Sequence, residues 1–301
     1  KALRKQAKSE AFQFEDIAAN YHSVTVSGLT PKTLYMYRVG QGAHWSEWFH
    51  TKTAGKSGDK LSFIYLGDAQ VGLKTLWPRV IRAAYAKMPE ANLILYAGDI
   101  VNRGNNDSEW GELFYGGSFI HSMIPGMHSP GNHEYARTGD TLSAFWRPQF
   151  TLPENGPEGL KESCYYTDVQ GMRFISINSY RVEESDEDLE KQKIWVDSLL
   201  RNNPNQWTAV LFHHPFYSIR PTRDNARMRN TFKPLFDKYK VDIVLQGHDH
   251  AYARGMKKIE GAAKNTKSGT LYVLSASGPK MSSKFEGDCM DAGVRYTHLY
   301  R

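Results

Sequence analysis

Cysteine is scarce in this chain of 301 residues, which contains two, Cys164 and Cys289. Two cysteines cannot build a disulfide framework, and their spacing matches no cysteine-based metal site. We expect both thiols to be free and partly buried, although one bridge between them remains compatible with the sequence. The fold therefore depends on a hydrophobic core rather than on cross-links.

Long hydrophobic runs are also missing, since no apolar stretch approaches the roughly 18 residues that a membrane-spanning helix needs. The sequence has no cluster of lysine and arginine interleaved with aromatics, so we predict no nucleic-acid partner. It shows no signal peptide, but it begins at Lys1 rather than at methionine, which is compatible with a leader already removed. We therefore expect a periplasmic or extracellular protein without a membrane span.

The composition is that of a soluble globular protein, with 40% apolar and 23% charged residues. The length allows one large domain, alone or with a small companion. The net charge of +6 would attract anionic substrates. A plain excess of surface lysine explains the charge as well, and we favour that interpretation.

The first part of the chain has the pattern of a β-sandwich. Short alternating runs at His22–Val26, Leu34–Val39 and Glu47–Lys52 are separated by turn residues and predict strands. The residues before about Asn20 are polar and predict little. A complete sandwich of this type needs about 100 residues, so we expect a partial one, followed by a linker at Ala54–Lys60.

From Leu61 onward, strands alternate with helices, which is the pattern of an α/β domain. The predicted strands are Leu61–Leu66, Leu93–Ala97, Met123–His128, Cys164–Asp168, Met172–Asn178, Thr208–Phe212, Val241–Leu245 and Thr270–Ser275. The predicted helices are Leu76–Met88, a short helix that Asp107 caps, a helix that begins with a capping box of Ser185 and Asp188, and Asn225–Tyr239.

Ligand-type side chains follow five of these strands. They are Asp68-Ala69-Gln70, Asp99, Asn132-His133, His213-His214 and His248-Asp249-His250. In α/β proteins the carboxyl ends of the strands line the ligand crevice. A mixed set of carboxylates, carboxamides and imidazoles suits Mn, Fe or Zn better than Mg or Ca. Two adjacent ions in such a site can bind a phosphoryl group and activate the attacking water.

The segments GDAQ, GDIVNRG, GNHE, FHHP and GHDHAYAR occur in this order and resemble the five motifs of the calcineurin-like metallophosphoesterase superfamily. The stretch VSGLTPKTLYMYRVG, with WSEWFHT after it, resembles the final strands of the fibronectin-III-like domain that precedes many secreted phosphatases. Tyr35 or Tyr37 would be its corner tyrosine. Bacterial purple-acid-phosphatase-like proteins are the nearest likeness.

The resemblance implies a four-layer α/β/β/α catalytic domain over residues 58–301, behind a partial fibronectin-III-like segment over residues 1–54. It also implies a centre of two divalent or trivalent ions, with iron, manganese or zinc all open. Its metal ligands would be Asp68, Gln70 and His250 for the first ion, Asp99 as the bridge, and Asn132, His213 and His248 for the second. The other site residues would be His133 as general acid or hydrogen-bond donor, Arg103 as phosphate clamp, Asn102, and His214 behind the ligands or facing substrate.

Two positions depart from the pattern of these families. Gln70 stands where the usual ligand is histidine, and a carboxamide oxygen is the weaker donor. Asn102 stands where purple acid phosphatases have tyrosine, so the tyrosinate–Fe(III) colour should be absent. The protein-phosphatase branch has an aspartate at that place, which orients the GNHE histidine, and Asn102 brings no such negative charge.

We therefore predict an acid-phosphatase-like hydrolase that cleaves small phosphate esters with metal-activated hydroxide. A phosphomonoesterase is favoured because Arg103 is able to take a terminal phosphate oxygen. A phosphodiesterase of the same superfamily stays open, as does a non-catalytic binding or adhesion protein, which Gln70 and the short N-terminal segment would support. Four arginines after the FHHP segment could face an anionic substrate, but we favour a solvated helix face for them: Arg220, Arg223, Arg227 and Arg229. We interpret His121, His128 and His298 as structural. The oligomeric state is left open.

Overall fold

The computed structural model describes residues 3–136, 140–220, 222–258, 269–281 and 292–294. Its N-terminal region is made of short strands, as predicted. They are β1 (Lys8–Phe14), β2 (Ile17–Ser23), β3 (Leu34–Tyr37), β4 (Gly40–Gln41), β5 (His44–Trp45) and β6 (Phe49–Lys52). Strand β1 pairs with β2, β3 with β6, and β4 with β5, each pair being antiparallel.

The first hairpin, β1–β2, was not visible in the sequence pattern. Phe12, Phe14 and Ile17 pack against the core of the following domain, which includes Phe145. Exposed polar residues surround these apolar positions, so the alternation of apolar and polar residues in β1 and β2 is weak. The predicted strand His22–Val26 is wrong in its second half, because β2 ends at Ser23.

Both tyrosines of β3 make backbone contacts. The N–H of Thr30 donates to Tyr35 Oη at 2.9 Å, a bond to the backbone a few residues upstream of the kind a tyrosine corner makes. Tyr37 instead donates to the carbonyl oxygen of Ser122 at 2.5 Å, and this bond ties the N-terminal strands to the following domain.

The rest of the chain alternates strands and helices. In chain order they are β7 (Phe63–Leu66), α1 (Trp77–Lys87), β8 (Leu93–Ala97), α2 (Asp107–Met123), β9 (Gly126–Ser129), a 3₁₀ turn (Asn132–Glu134), α3 (Trp146–Gln149), β10 (Tyr165–Val169), β11 (Met172–Ser176), α4 (Ser179–Glu184), α5 (Asp186–Arg201), β12 (Trp207–Leu211), α6 (Ala226–Tyr239), β13 (Ile243–Gln246), β14 (Tyr252–Lys258), β15 (Gly269–Ser275) and β16 (Ala292–Val294).

These strands form two sheets. One is the parallel sheet β7-β8-β9, and the other has the order β10-β11-β12-β13-β15-β14-β16. Successive residues along a strand of the larger sheet point to opposite faces, so they pack into two different hydrophobic clusters. Leu211 and Leu245 lie in the core shared with the smaller sheet and with α1 and α2, whereas Val210 and Val244 lie under α4, α5 and α6. The predicted four-layer α/β/β/α arrangement is confirmed.

Helix α2 differs from its prediction. It is not short, since it runs for 17 residues, and Asn106 rather than Asp107 is its N-cap, accepting from the N–H of Glu109. The helix bends at Ser118, where φ is 42°, and continues through Met123. The predicted strand Met123–His128 therefore begins too early, and β9 starts only after Pro125.

Several local predictions hold. The predicted helix Leu76–Met88 is α1, with Pro78 in its first turn. Strands β10 and β11 form the predicted hairpin around Gln170-Gly171, and both turn residues have positive φ. Ser185 caps α5 by accepting from the N–H of Asp188.

Cys164 is a free thiol, as expected, but it is fully rather than partly buried, and its Sγ donates to the Gln192 side-chain oxygen at 3.0 Å. Burial raises the pKa of this thiol, so it stays protonated. Cys289 and His298 lie outside the described residues. Among the helices that the structure describes, none combines the length and apolar character needed to cross a membrane.

Candidate metal centre

The five predicted ligand loops meet at one edge of the two sheets. Strands β7, β8 and β9 are mutually parallel, and so are β12 and β13, so their carboxyl ends point to a common crevice. Several ligand-type residues leave their strands with the backbone in the left-handed region. The φ values are 46° for Asp68, 48° for Gln70, 48° for Asp99 and 73° for His248. Such conformations cost about 1–3 kcal/mol each and concentrate at functional sites.

The tightest cluster consists of Asp99, His213 and His248, whose ligand atoms all lie within 4.8 Å of one another. Asp99 Oδ2 is 3.1 Å from His213 Nε2, and His248 Nδ1 is 3.0 Å from the same nitrogen. The other ring nitrogen of His213, Nδ1, donates to the carbonyl oxygen of Ala97 at 2.7 Å. That bond holds the Nδ1 proton at Ala97 and turns Nε2 toward the cluster, as in a metal-binding histidine.

A second group of donors lies beside this cluster. Asp68 Oδ1 is 3.5 Å from His250 Nε2, and both Asp68 oxygens accept from the N–H of His248, at 3.0 and 2.8 Å. Gln70 is 1% exposed, and in the part of the chain that the structure describes neither its side-chain oxygen nor its nitrogen has a hydrogen-bond partner. The Asn132 side-chain oxygen is likewise buried and unpaired. A buried amide without a partner costs about 1–3 kcal/mol, so these oxygens suit cation coordination.

The electrostatics of the cluster favour cations. Burial raises the pKa of Asp68, and the charge of His213 opposes this rise. For Asp99, burial is outweighed by the charges of His213 and His133, which hold its pKa below the ordinary value. Burial lowers the pKa of His213, but the Asp99 and Asp68 carboxylates raise it to about 9. Burial and the neighbouring imidazoles lower the pKa of His248, so this ring is neutral and able to coordinate.

His133 stands at the edge of the cluster with its side chain 24% exposed. Its backbone N–H donates to Asp99 Oδ1 at 2.9 Å, and its Nε2 is 3.9 Å from Asp99 Oδ2. Its Nδ1 donates to the backbone carbonyl oxygen of Asn102 at 2.6 Å. Asn102 therefore holds this histidine through its main chain, whereas the sequence comparison drew attention to its side chain.

His214 is buried behind the cluster. Its Nδ1 is 2.9 Å from Ser179 Oγ, and its ring centroid is 4.4 Å from that of His248. Burial and the charge of His213 lower the pKa of His214 to about 3, so the ring is neutral. Ser179 also accepts from the N–H groups of His213 and His214, at 3.2 and 3.1 Å, and so fixes this loop.

Arg103 is turned toward a partner of its own. Its Nε donates to Glu109 Oε1 at 2.7 Å, and its side chain is 56% exposed. The N–H groups of Asn102 and Arg103 both donate to Glu109 Oε2. The GDIVNRG loop is thus held by Glu109, and the phosphate-clamp role of Arg103 stays a prediction.

Glu134 is a site residue to which sequence reasoning gave no role. It is buried, and its carboxylate accepts from four backbone N–H groups at 2.7 to 3.2 Å. These donors belong to Asp99, Ile100, Val101 and Gly131. Burial and the nearby charge of Asp99 raise the pKa of Glu134 to about 7. The glutamate of GNHE therefore joins two ligand loops, and its presence in that motif was the available signal.

Two glycines allow these loops to approach each other. A Cβ on Gly131 would lie 2.3 Å from Asp99 Oδ1, and one on Gly98 would lie 2.6 Å from His213 Nδ1. Gly98 also has a φ of 80°, which other residues rarely adopt. Larger residues at these places would push the ligands apart.

The donor set fits transition-metal ions. It combines buried carboxylates, imidazoles whose ring nitrogens face the cluster, and amide oxygens that have no partner among the described residues. This mixture of nitrogen and oxygen donors matches iron, manganese and zinc.

Comparisons with known proteins agree with this geometry. The sequence profile described as "Calcineurin-like phosphoesterase" matches residues 61–252, and that described as "Purple acid Phosphatase, N-terminal domain" matches residues 1–53. The phosphoenolpyruvate phosphatase of Allium cepa is 25% identical over 89% of this chain and 57% of its own length. The Fe(3+)-Zn(2+) purple acid phosphatase 12 of Arabidopsis thaliana is 26% identical over 90% of this chain and 60% of its own.

A solved structure with the same fold is that of a purple acid phosphatase from yellow lupin (Lupinus luteus) seeds. It superposes with a TM-score of 0.70 and 18% identity, over 95% of this chain and 62% of that one. The chain thus spans less than two thirds of the length of these relatives.

Proposed function

Because the chain belongs to the calcineurin-like phosphoesterase family, we propose that it hydrolyses phosphate esters at a centre of two metal ions. One observation carries the proposal. Buried carboxylate, imidazole and amide donors from five strand ends converge on one crevice, and the amide oxygens of Gln70 and Asn132 have no hydrogen-bond partner among the residues described. Such a set of buried donors is suited to binding cations.

The resemblance assigns the roles of the ligands, and their placement supports this assignment. Asp68, Gln70 and His250 would hold one ion, and Asn132, His213 and His248 the other, with Asp99 between them. When bound, two such ions offset the charge of the phosphoryl group and lower the pKa of the attacking water. The chain supplies the fixed orientation of its ligands, through the bond of His213 to Ala97 and the contacts of Glu134.

His133 would assist departure of the alcohol. Its Nδ1 proton stays with the Asn102 carbonyl oxygen, so Nε2 is the atom that faces the cluster. In the imidazolium form Nε2 carries a proton that passes to the leaving oxygen as the phosphorus–oxygen bond breaks. The neutral ring that remains keeps its bond to Asn102.

Phosphomonoesters are the favoured substrates. The relative named phosphoenolpyruvate phosphatase supports this choice. Arg103 would add to it by binding a terminal phosphate oxygen with its outer nitrogens, because its Nε is already bonded to Glu109.

The domain boundaries and the location of the protein are part of the same proposal. The domains are an N-terminal segment over residues 1–54 and a catalytic domain over residues 58–301, and the profile matches over residues 1–53 and 61–252 support the division between them. The bond between Thr30 and Tyr35 supports a fibronectin-III-like character for the first segment. The periplasmic or extracellular location rests on the resemblance to secreted phosphatases, and cell fractionation would test it.

The experiment is a hydrolysis assay on protein loaded in turn with zinc, manganese and iron. We expect turnover of p-nitrophenyl phosphate with at least one metal, faster than that of bis(p-nitrophenyl) phosphate, and loss of turnover in Asp99→Asn. Faster cleavage of the diester would favour the phosphodiesterase alternative. Protein that binds two ions but hydrolyses neither ester would favour the non-catalytic alternative.

A further inference from the structure

Asp249 lies between two of the proposed ligands in sequence but makes contacts of a different kind. It is 0% exposed, and its Oδ2 accepts from Ser218 Oγ at 2.7 Å and from the N–H of Ile219 at 2.8 Å. Its Oδ1 accepts from Arg223 Nη1. All three donors belong to the segment between β12 and α6, so the carboxylate is engaged there.

Arg223 reaches past Asp249 to the ligand loop itself. The same Nη1 donates to the carbonyl oxygen of His248 at 3.4 Å. Its guanidinium also acts electrostatically on the rings of His248 and His214. The interpretation of Arg223 as part of a solvated helix face is therefore wrong, because Arg223 precedes α6 and its side chain is largely buried against this loop.

The loop that carries His248 and His250 needs such support. His248 has a φ of 73°, in the left-handed region, which costs about 1–3 kcal/mol for a residue other than glycine. Its N–H is held by Asp68 from one side. On the other side, Arg223 donates both to the carbonyl oxygen of His248 and to the side chain of Asp249, the next residue.

We infer that Asp249 and Arg223 form a positioning pair that fixes His248 and His250 in their metal-binding geometry. Neither residue touches the ions or the substrate. The pair acts by keeping the ligand loop in its strained conformation, so that no affinity is lost to rearrangement when a metal binds. This inference rests on the proposed metal centre and adds to it a contact that none of the five motifs assigns.

Substitutions of the two residues should have different effects. Arg223→Ala frees the His248 carbonyl oxygen and leaves a buried carboxylate with two neutral donors. Asp249→Asn keeps the shape of the side chain but replaces one accepting oxygen by an NH₂ group. That group would face another donor, Arg223 or the N–H of Ile219. Arg223→Lys keeps the charge and one donor, and should restore part of the function. Arg227→Ala is the matched control, because Arg227 lies in α6 and bonds to Asp186 and the Val182 carbonyl oxygen.

The test is calorimetric titration of the metal-free proteins with Zn²⁺, with near-ultraviolet circular dichroism as the check of folding. We expect two binding events in the wild type and two in Arg227→Ala, and each Kd of the variant should equal the corresponding Kd of the wild type. In Arg223→Ala and Asp249→Asn we expect at least one Kd to rise by about 10–100-fold, the size usual for partners that orient metal ligands. In Arg223→Lys the rise should be smaller.

The double variant Arg223→Ala/Asp249→Asn distinguishes a pair that acts as a unit from two independent effects. If the pair acts as a unit, the double variant should bind Zn²⁺ no more weakly than the worse single variant. Wild-type Kd values in both Arg223→Ala and Asp249→Asn would overturn the inference and leave the proposed function standing. A wild type that binds no Zn²⁺, Mn²⁺ or iron would overturn both.

Discussion

His133 Nδ1 donates to the backbone carbonyl oxygen of Asn102 at 2.6 Å, so the side chain at position 102 is not what orients this imidazole. The bond leaves Nε2 3.9 Å from Asp99 Oδ2, at the edge of the proposed metal centre. The absence of a carboxylate at position 102 therefore does not disorient the proposed acid. A backbone carbonyl orients it but gives the imidazolium no full negative charge to pair with.

The first prediction concerns this histidine. His133→Ala should keep both metals but lose about 10²–10⁴-fold in kcat on alkyl phosphates, the usual contribution of a general acid. The loss should be much smaller on p-nitrophenyl phosphate, because its leaving group needs no proton. Asn102→Ala is the control and should leave kcat nearly unchanged, because the bond to His133 comes from the main chain of Asn102. Equal losses on both substrates, with metal retained, would assign His133 to phosphate positioning instead.

Gln70 should make one of the two ions easy to remove. Its amide oxygen is buried and unpaired, but a neutral amide is a poorer donor than an imidazole. During stepwise treatment with a chelator, we expect the ion at Asp68, Gln70 and His250 to leave first. Gln70→His should slow that release. If metal analysis shows that both ions leave together in the two proteins, the amide is not a ligand.

Colour provides an independent check of position 102. Because asparagine stands there, the iron-loaded protein should lack the tyrosinate–Fe(III) absorption that the resemblance would otherwise imply. A visible spectrum of the iron-loaded protein, at known iron content, makes the measurement. An intense visible band would mean that another tyrosine of the chain reaches the iron.

His128 should make the metal-free protein sensitive to acid. Its ring is stacked between Tyr96 and Phe150, at centroid distances of 4.9 and 3.9 Å, and its Nδ1 is buried with no hydrogen-bond partner among the described residues. Burial and the charge of His121 lower the pKa of His128 from 6.5 to about 3. Below pH 6.5 the unfolded chain thus takes up a proton that the folded chain cannot. At pH 5 this costs about 2 kcal/mol of unfolding free energy relative to pH 7.

The variant His128→Phe keeps a ring in the stack and removes the proton site. Urea unfolding at pH 7 and pH 5 should show a stability difference smaller by about 2 kcal/mol in the variant than in the wild type. An unchanged difference would mean that this imidazole is protonated in the folded protein. Histidines that do not interact with this ring contribute equally to both proteins and cancel in the comparison.

Most of the proposed site can be predicted from the sequence because its residues lie in short segments that directly follow predicted strands. Each group of ligand-type residues follows an apolar run, and parallel strands bring their carboxyl ends together whatever the details of the loops. The resemblance of these segments to the metallophosphoesterase motifs then singled out the seven proposed ligands among them. Their contacts with one another, such as that of Asp99 with His213, then followed from the topology.

The supporting contacts could not be predicted in the same way. Glu134 binds backbone N–H groups more than thirty residues away, and such donors leave no mark on the side-chain pattern. The pairing of Arg223 with Asp249 depends on the path of a loop without regular structure. The length of α2 was missed for another reason, since its bend at Ser118 interrupts the helical pattern that continues beyond it.

The central claim is that Asp99 lies between two metal ions. The most direct measurement is an anomalous-scattering map from crystals of the zinc-loaded protein. The account predicts two peaks about 3.5–4 Å apart, with Asp99 bound to both, His250 to one and His213 to the other. A single peak, or two peaks of which Asp99 binds only one, would contradict it.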